Sequence, residues 1–101
     1  LLTGLQAERE DSLKLARLID PHRVHSLVGM TKSLRSLTAL VDHADLLVTS
    51  DCGTAHMAAL TDTSIVSLFG PETPQLYSPL SSRNISLWAS IGCSPCLNAY
   101  N

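Results

Sequence analysis

The stretch that decides the fold runs Leu46-Leu47-Val48-Thr49-Ser50-Asp51-Cys52-Gly53-Thr54-Ala55-His56-Met57-Ala58-Ala59-Leu60 and resumes at Ser64-Ile65-Val66-Ser67-Leu68-Phe69-Gly70-Pro71. Leu46, Leu47 and Val48 read as a buried strand, and Asp51-Cys52-Gly53 as a tight turn. Residues 54–60 read as the opening turns of a helix, and residues 64–69 as the next strand. A strand–turn–helix–strand unit aims the N–H groups of a helix start at the carboxyl edge of a parallel sheet, where anions and phosphates are held. Asp51, Cys52, Thr54 and His56 cluster there around Gly53. That arrangement points to a phosphorylated ligand.

Working outward, five strand-like runs are each followed by a glycine: residues 1–3, 24–28, 46–50, 64–69 and 85–91, with Gly4, Gly29, Gly53, Gly70 and Gly92. Parallel strands would gather all five glycines on the ligand-binding edge. Helix patterns fall between the strands. In residues 7–19 acids come first (Glu8, Glu10, Asp11) and bases later (Lys14, Arg17), with Leu15, Leu18 and Ile19 as an apolar stripe and Pro21 closing the segment. Ser33 is a plausible N-cap for a second helix whose face carries Leu34, Leu37, Leu40, Val41 and Ala44. A third follows Gly53 and turns Met57, Ala58 and Leu60 to the sheet. Residues 71–84, with Pro71, Pro74 and Pro79, read as a loop with one helical turn at residues 75–77. The alternation predicts an α/β, Rossmann-like parallel sheet with flanking helices.

Composition narrows the partners. The 101 residues are 45% hydrophobic and 16% charged, enough for one small domain with a core. A formal net charge of −2 and 4% aromatics give neither the basic surface nor the stacking platform of a nucleic-acid binder. No apolar run approaches the roughly 18 residues of a membrane span. The opening Leu1-Leu2-Thr3-Gly4 lacks signal-peptide features and starts within a strand pattern, as a piece of a longer protein would.

Gly53 lets a ligand approach the main chain, and the amides of Gly53, Thr54 and Ala55 are expected to be unpaired donors suited to a diphosphate. The plainer alternative makes Asp51 an ordinary cap and Gly53 an ordinary turn residue. His56, in the first helical turn, is near enough to donate to a phosphate or a sugar hydroxyl, or is simply a surface histidine. His22, His25 and His43 sit at element ends and read as structural. Cys52 at a strand-to-helix elbow also admits a cysteine hydrolase, although Ser50 and Thr54 are not the usual glycines and His56 is too local for the usual base. Cys93 and Cys96 are half of a metal site, a redox pair or two buried thiols, the last being the expectation.

These residues carry a family resemblance. Asp51-Cys52-Gly53-Thr54-Ala55-His56-Met57-Ala58-Ala59 followed by an apolar strand and Phe69-Gly70-Pro71 resembles the Asp-Ser/Thr-Gly-x-x-His-x-x-Ala-Ala and Phe-Gly-Pro-Thr stretches of family 9 glycosyltransferases. Leu1-Leu2-Thr3-Gly4 with Glu8 resembles the family's strand-Gly-x-x-x-Glu segment, and Gly29-Met30-Thr31-Lys32-Ser33-Leu34 its Gly-x-Thr-Ser-Leu with one residue extra. Cys93-Ser94-Pro95-Cys96 is similar to a Cys-x-Pro-Cys near the end of many members.

The resemblance implies that residues 1–101 are a single, incomplete nucleotide-sugar-binding domain in the C-terminal half of a GT-B enzyme. The N-terminal acceptor domain, which would carry the general base, and the first strand of the donor domain are then absent. It implies that Gly53, Thr54 and the amide of Cys52 hold the diphosphate, that Asp51 engages sugar hydroxyls, and that His56 lies beside them. Glu8 would accept from the ribose, and Thr31, Lys32 and Ser33 would line the base pocket. The implied reaction is inverting transfer without metal or cofactor, from a donor such as ADP-heptose to a lipopolysaccharide-type acceptor. The implied location is cytoplasmic, with room for peripheral association at the inner face of the membrane through the full-length protein. A non-catalytic nucleotide- or sugar-phosphate-binding module is the alternative. Two departures stand out: Cys52 replaces Ser or Thr, and Glu72, expected to point to solvent, replaces Thr.

Overall fold

The structure is a computed structural model that describes residues 1–96. It contains a short 3-10 turn (Gln6–Glu8), helices α1 (Arg9–Ile19), α2 (Leu34–Asp42), α3 (Gly53–Ala58) and α4 (Pro74–Tyr77), and strands β1 (Leu46–Ser50), β2 (Ser64–Phe69) and β3 (Asn84–Trp88). The chain forms two compact units, Leu1–Leu37 and a second beginning at Thr38.

In the first unit, the amide of Leu2 donates to the His25 carbonyl at 2.9 Å and that of Leu27 to the Leu2 carbonyl at 2.8 Å. The two expected strands are therefore parallel, but they shrink to one bridge, Leu2 with Ser26. Two strands alone make a poor sheet, and Leu1 and Leu5 lie exposed beside them. The acid-first order of α1 is expressed locally, as Lys14 pairs with Glu10 and Asp11, each at 3.2 Å. Its expected stripe is not its buried face. Leu15, Leu18 and Ile19 are exposed and Ala16 is buried, because Ser12 and Ala16 share the face on which the Ser12 hydroxyl meets that of Ser26 at 2.6 Å. The helix ends before Pro21, with Asp20 extended and its carboxylate accepting from the His22 amide at 2.9 Å. Ser33 caps α2 as expected, its hydroxyl accepting from the Ser36 amide at 3.1 Å. Leu34, by contrast, is exposed.

The second unit holds a parallel sheet in the order β1-β2-β3. The register puts Leu47, Ile65, Thr49, Ser67, Ser86, Phe69 and Trp88 on one face. On that face Ile65 and Ser67 are fully buried. The other face carries Leu46, Val48, Leu68, Ile85 and Leu87, all exposed by 45% or more. β1, read as a buried strand, is thus open on one side. Both crossovers, through α3 and through α4, move across the sheet in the same direction, and right-handed connections then place both on the same face. α3 covers its face with Ala55 and Ala58, whose small side chains let the helix approach β1 and β2 closely. It stops at Ala58, so Leu60, expected to face the sheet, is 82% exposed.

Polar groups under the covered face are satisfied. Ser67 donates to Asn84 at 2.8 Å, and Asn84 in turn donates to Ser78 and Ser86, each at 2.9 Å, which ties the end of α4 to β3. Buried Thr63 donates to the Val41 carbonyl at 2.7 Å, joining the end of α2 to the start of β2. α4 begins at Pro74, with the Thr73 hydroxyl accepting from the Gln75 amide, so the one expected helical turn is present and starts one residue early. β3 ends at Trp88, short of the expected Ile91, because its partner β2 runs into Gly70-Pro71 and proline has no N–H for the ladder. Among the described residues, no helix is long and apolar enough to cross a membrane.

Candidate functional site

The carboxyl ends of β1 and β2 flank an open cleft of about 490 Å³, with Ser50 and Asp51 on one side and residues 68–72 on the other. β1 delivers Asp51 there, and the Asp51 amide donates to the Leu68 carbonyl at 3.0 Å, carrying the pairing one residue past the strand. The Asp51 carboxylate is half-buried and makes no hydrogen bond among the described residues.

Cys52 follows in extended conformation as the residue preceding α3. Its thiol lies 3.4 Å from the Thr49 hydroxyl. Partial burial pushes this thiol up, but the Thr49 hydroxyl, the Thr54 and Ala55 amides and the Thr54 hydroxyl together outweigh burial and hold it below its ordinary 9.0. Among the described residues no imidazole acts on it, so none of them is placed as the base that a cysteine hydrolase requires.

The helix start is more open than its own chain demands. Gly53 does not adopt positive φ, and an added Cβ there would meet nothing within 4 Å. Among the described residues the Gly53 amide has no hydrogen-bond acceptor, while that of Thr54 faces the Cys52 sulfur. One expected donor is lost: the Ala55 amide bonds the Cys52 carbonyl at 3.0 Å, because α3 opens with a tight turn. His56 is exposed on α3, with no hydrogen bond to its ring among the described residues.

The remaining predicted site residues belong to the first unit. One Glu8 oxygen accepts from the Leu5 amide at 2.6 Å and sits over Gly4, where an added Cβ would come within 2.6 Å of it. Ser33 is engaged as the α2 cap, Thr31 is half-buried and Lys32 exposed.

Two expectations are corrected. Glu72 does not point to solvent: it lines the cleft, and its Oε2 is buried without a hydrogen-bond partner. It stands between exposed Pro71 in the cleft wall and buried Thr73. An unpaired buried carboxylate oxygen is costly, so this is a stressed position in the wall. Its place directly after a strand-ending Gly-Pro was the available signal. Cys93 and Cys96 are exposed thiols rather than buried ones, since the chain beyond Trp88 leaves the sheet. Among the described residues, no group of three or more His, Cys, Asp or Glu side chains is placed to hold a metal ion.

Comparison with known proteins bears on this geometry. The family model of glycosyltransferase family 9 (heptosyltransferase) matches residues 1–101. Lipopolysaccharide heptosyltransferase 1 of Pseudomonas aeruginosa is 34% identical over 97 residues, covering 93% of this chain and 25% of that protein. Lipopolysaccharide heptosyltransferase 3 of Escherichia coli is 42% identical over 53 residues, covering 52% of this chain and 16% of that protein. Lipopolysaccharide heptosyltransferase 2 of Salmonella typhimurium is 36% identical over 58 residues, or 57% and 16% of the two chains. The chain thus spans a quarter or less of the length of these relatives. No solved structure gives a significant match.

Proposed function

The chain belongs to glycosyltransferase family 9, and from that premise we propose that it is the donor-binding part of an inverting, metal-independent glycosyltransferase of lipopolysaccharide core synthesis. In this reading residues 1–101 form one incomplete nucleotide-sugar domain of a GT-B enzyme, and the general base and the acceptor site lie in a further domain. The donor is a nucleotide diphosphate sugar: the relatives' names suggest heptose as the sugar, and ADP is the nucleotide implied by the family resemblance.

The observation that supports it best is the open space at Gly53, whose amide has no acceptor among the described residues, beside a cleft that Asp51 enters from the strand tip. The amides of Gly53 and Thr54 would hold the diphosphate, with the helix start adding a partial positive charge. Asp51, its carboxylate uncommitted, would accept from sugar hydroxyls, and exposed His56 would donate to phosphate. Glu8, Thr31, Lys32 and Ser33 are proposed for the ribose and base. As the acceptor hydroxyl attacks the anomeric carbon, the bond to the leaving diphosphate breaks and charge grows on its oxygens. Fixed donors at that point lower the barrier without a metal.

Calorimetry on the intact protein tests this. ADP-, UDP- and GDP-sugars are titrated in turn, with ADP-sugars expected to bind. The combined substitution Asp51→Ala and His56→Ala should abolish that binding; unchanged affinity in the double variant would remove the site assignment.

A further inference from the structure

Cys93 and Cys96 play no part in the donor site, yet the structure holds them in a defined turn. The Cys96 sulfur donates to the Cys93 carbonyl at 3.0 Å, which puts one thiol against the backbone of the other residue. Two residues separate the cysteines within this one turn, a spacing at which a disulfide closes when the Cβ atoms come to within about 4 Å of each other. The turn is fixed at two further points. The Cys96 amide donates to the Pro71 carbonyl at 2.8 Å, and the Trp88 indole donates to the Ser94 hydroxyl at 2.9 Å. Pro71 belongs to the wall of the cleft, so the turn hangs from that wall. Both cysteines are exposed, as exchange with a soluble partner requires.

We propose that Cys93 and Cys96 form a reversible dithiol–disulfide couple that exchanges with low-molecular-weight disulfides of the glutathione class. The thiolate of one cysteine attacks a sulfur of the small disulfide, forms a mixed disulfide and releases one small thiolate. The other cysteine, as thiolate, then attacks the protein sulfur of the mixed disulfide, closes the Cys93–Cys96 bond and expels the second small thiolate. Two protein thiols are oxidised, one small disulfide is reduced to two thiols, and the two protons pass to the released thiolates. Among the described residues the Cys52 sulfur meets the hydroxyl of Thr49 and no second thiol. The couple does not depend on what the cleft binds.

The spacing of basic residues makes the test direct. Trypsin cuts after Arg35 and Arg83, leaving Cys52 alone on the peptide 36–83 and both other cysteines on the peptide that starts at Asn84. The intact protein is equilibrated with oxidised glutathione, alkylated with iodoacetamide under denaturing conditions, digested and weighed. The expected result is an Asn84 peptide lighter by two hydrogens, with neither cysteine alkylated, and restored to two alkylated thiols after dithiothreitol. Cys93→Ser or Cys96→Ser should leave one stable glutathione adduct on the remaining cysteine. Two separate adducts on the wild-type peptide, or two alkylated thiols where Cys52 is already fully glutathionylated, would overturn the proposal.

Discussion

At Gly53 an added methyl group would meet nothing, whereas at Gly29 it would collide with Gln6, and Gly29 alone among the described glycines has positive φ (75°). The two glycines therefore serve different masters. Gly29→Ala should destabilise the fold by about 1–2 kcal/mol, the cost of the left-handed backbone for an L-residue. Gly53→Ala should leave unfolding unchanged to within about 0.5 kcal/mol. It should nevertheless weaken diphosphate binding about tenfold, roughly 1.4 kcal/mol, because its Cβ occupies the space of the approaching oxygens. Denaturant titration and calorimetry on both variants separate the two effects. Cys52 supplies a pH test at the same corner. Its lowered pKa means that the thiolate forms as pH rises toward and through a value below 9.0, and a thiolate repels an anionic ligand. Affinity for a nucleoside diphosphate should fall as pH rises toward 9.0, and Cys52→Ser should flatten that fall in a pH series of binding isotherms.

The elements show how a short helix can be placed with precision. α3 has only six residues and is held by Ala55 and Ala58, buried to 1% and 0% exposure against the sheet. Nothing larger fits without lifting the helix and the open amides at its start. Ala58→Leu should cost about 1–3 kcal/mol by overpacking, read from the denaturant midpoint, while Leu60→Ser, on an exposed position, should stay within about 0.5 kcal/mol. Strand and helix order, the parallel sheet and the Ser33 cap were legible in the sequence, because period and capping chemistry are local. Which face of α1 or α3 turns inward was not. The long apolar residues Leu18, Ile19 and Leu60 attract the eye, but close approach favours alanine. The end of β3 was equally hidden, since it is set by Pro71 in the partner strand.

At the scale of the whole molecule, two right-handed crossovers leave one sheet face covered and the opposite one, with Leu46, Val48, Leu68, Ile85 and Leu87, exposed. The sequence reading of β1 as buried assumed cover on both faces, as doubly wound sheets have, and this unit supplies helices to only one. The location of the candidate site survived that error, because it depends on strand direction alone: parallel strands put Asp51 and Gly70 at one edge whatever covers the sheet. Glu72 was misplaced for the opposite reason, since its place in the cleft between the ends of β1 and β2 depends on how the strands come together and not on strand direction alone. What the account rests on is therefore the edge after β1, and in particular the amides that open α3.

Amide proton and nitrogen shifts of the intact, isotope-labelled protein, followed while a nucleoside diphosphate is added, test that point most directly. The largest shifts are expected at Gly53 and Thr54, with the Ala55 amide, already bonded to the Cys52 carbonyl, moving less. Saturable binding that leaves the Gly53 and Thr54 amides unmoved would contradict the account.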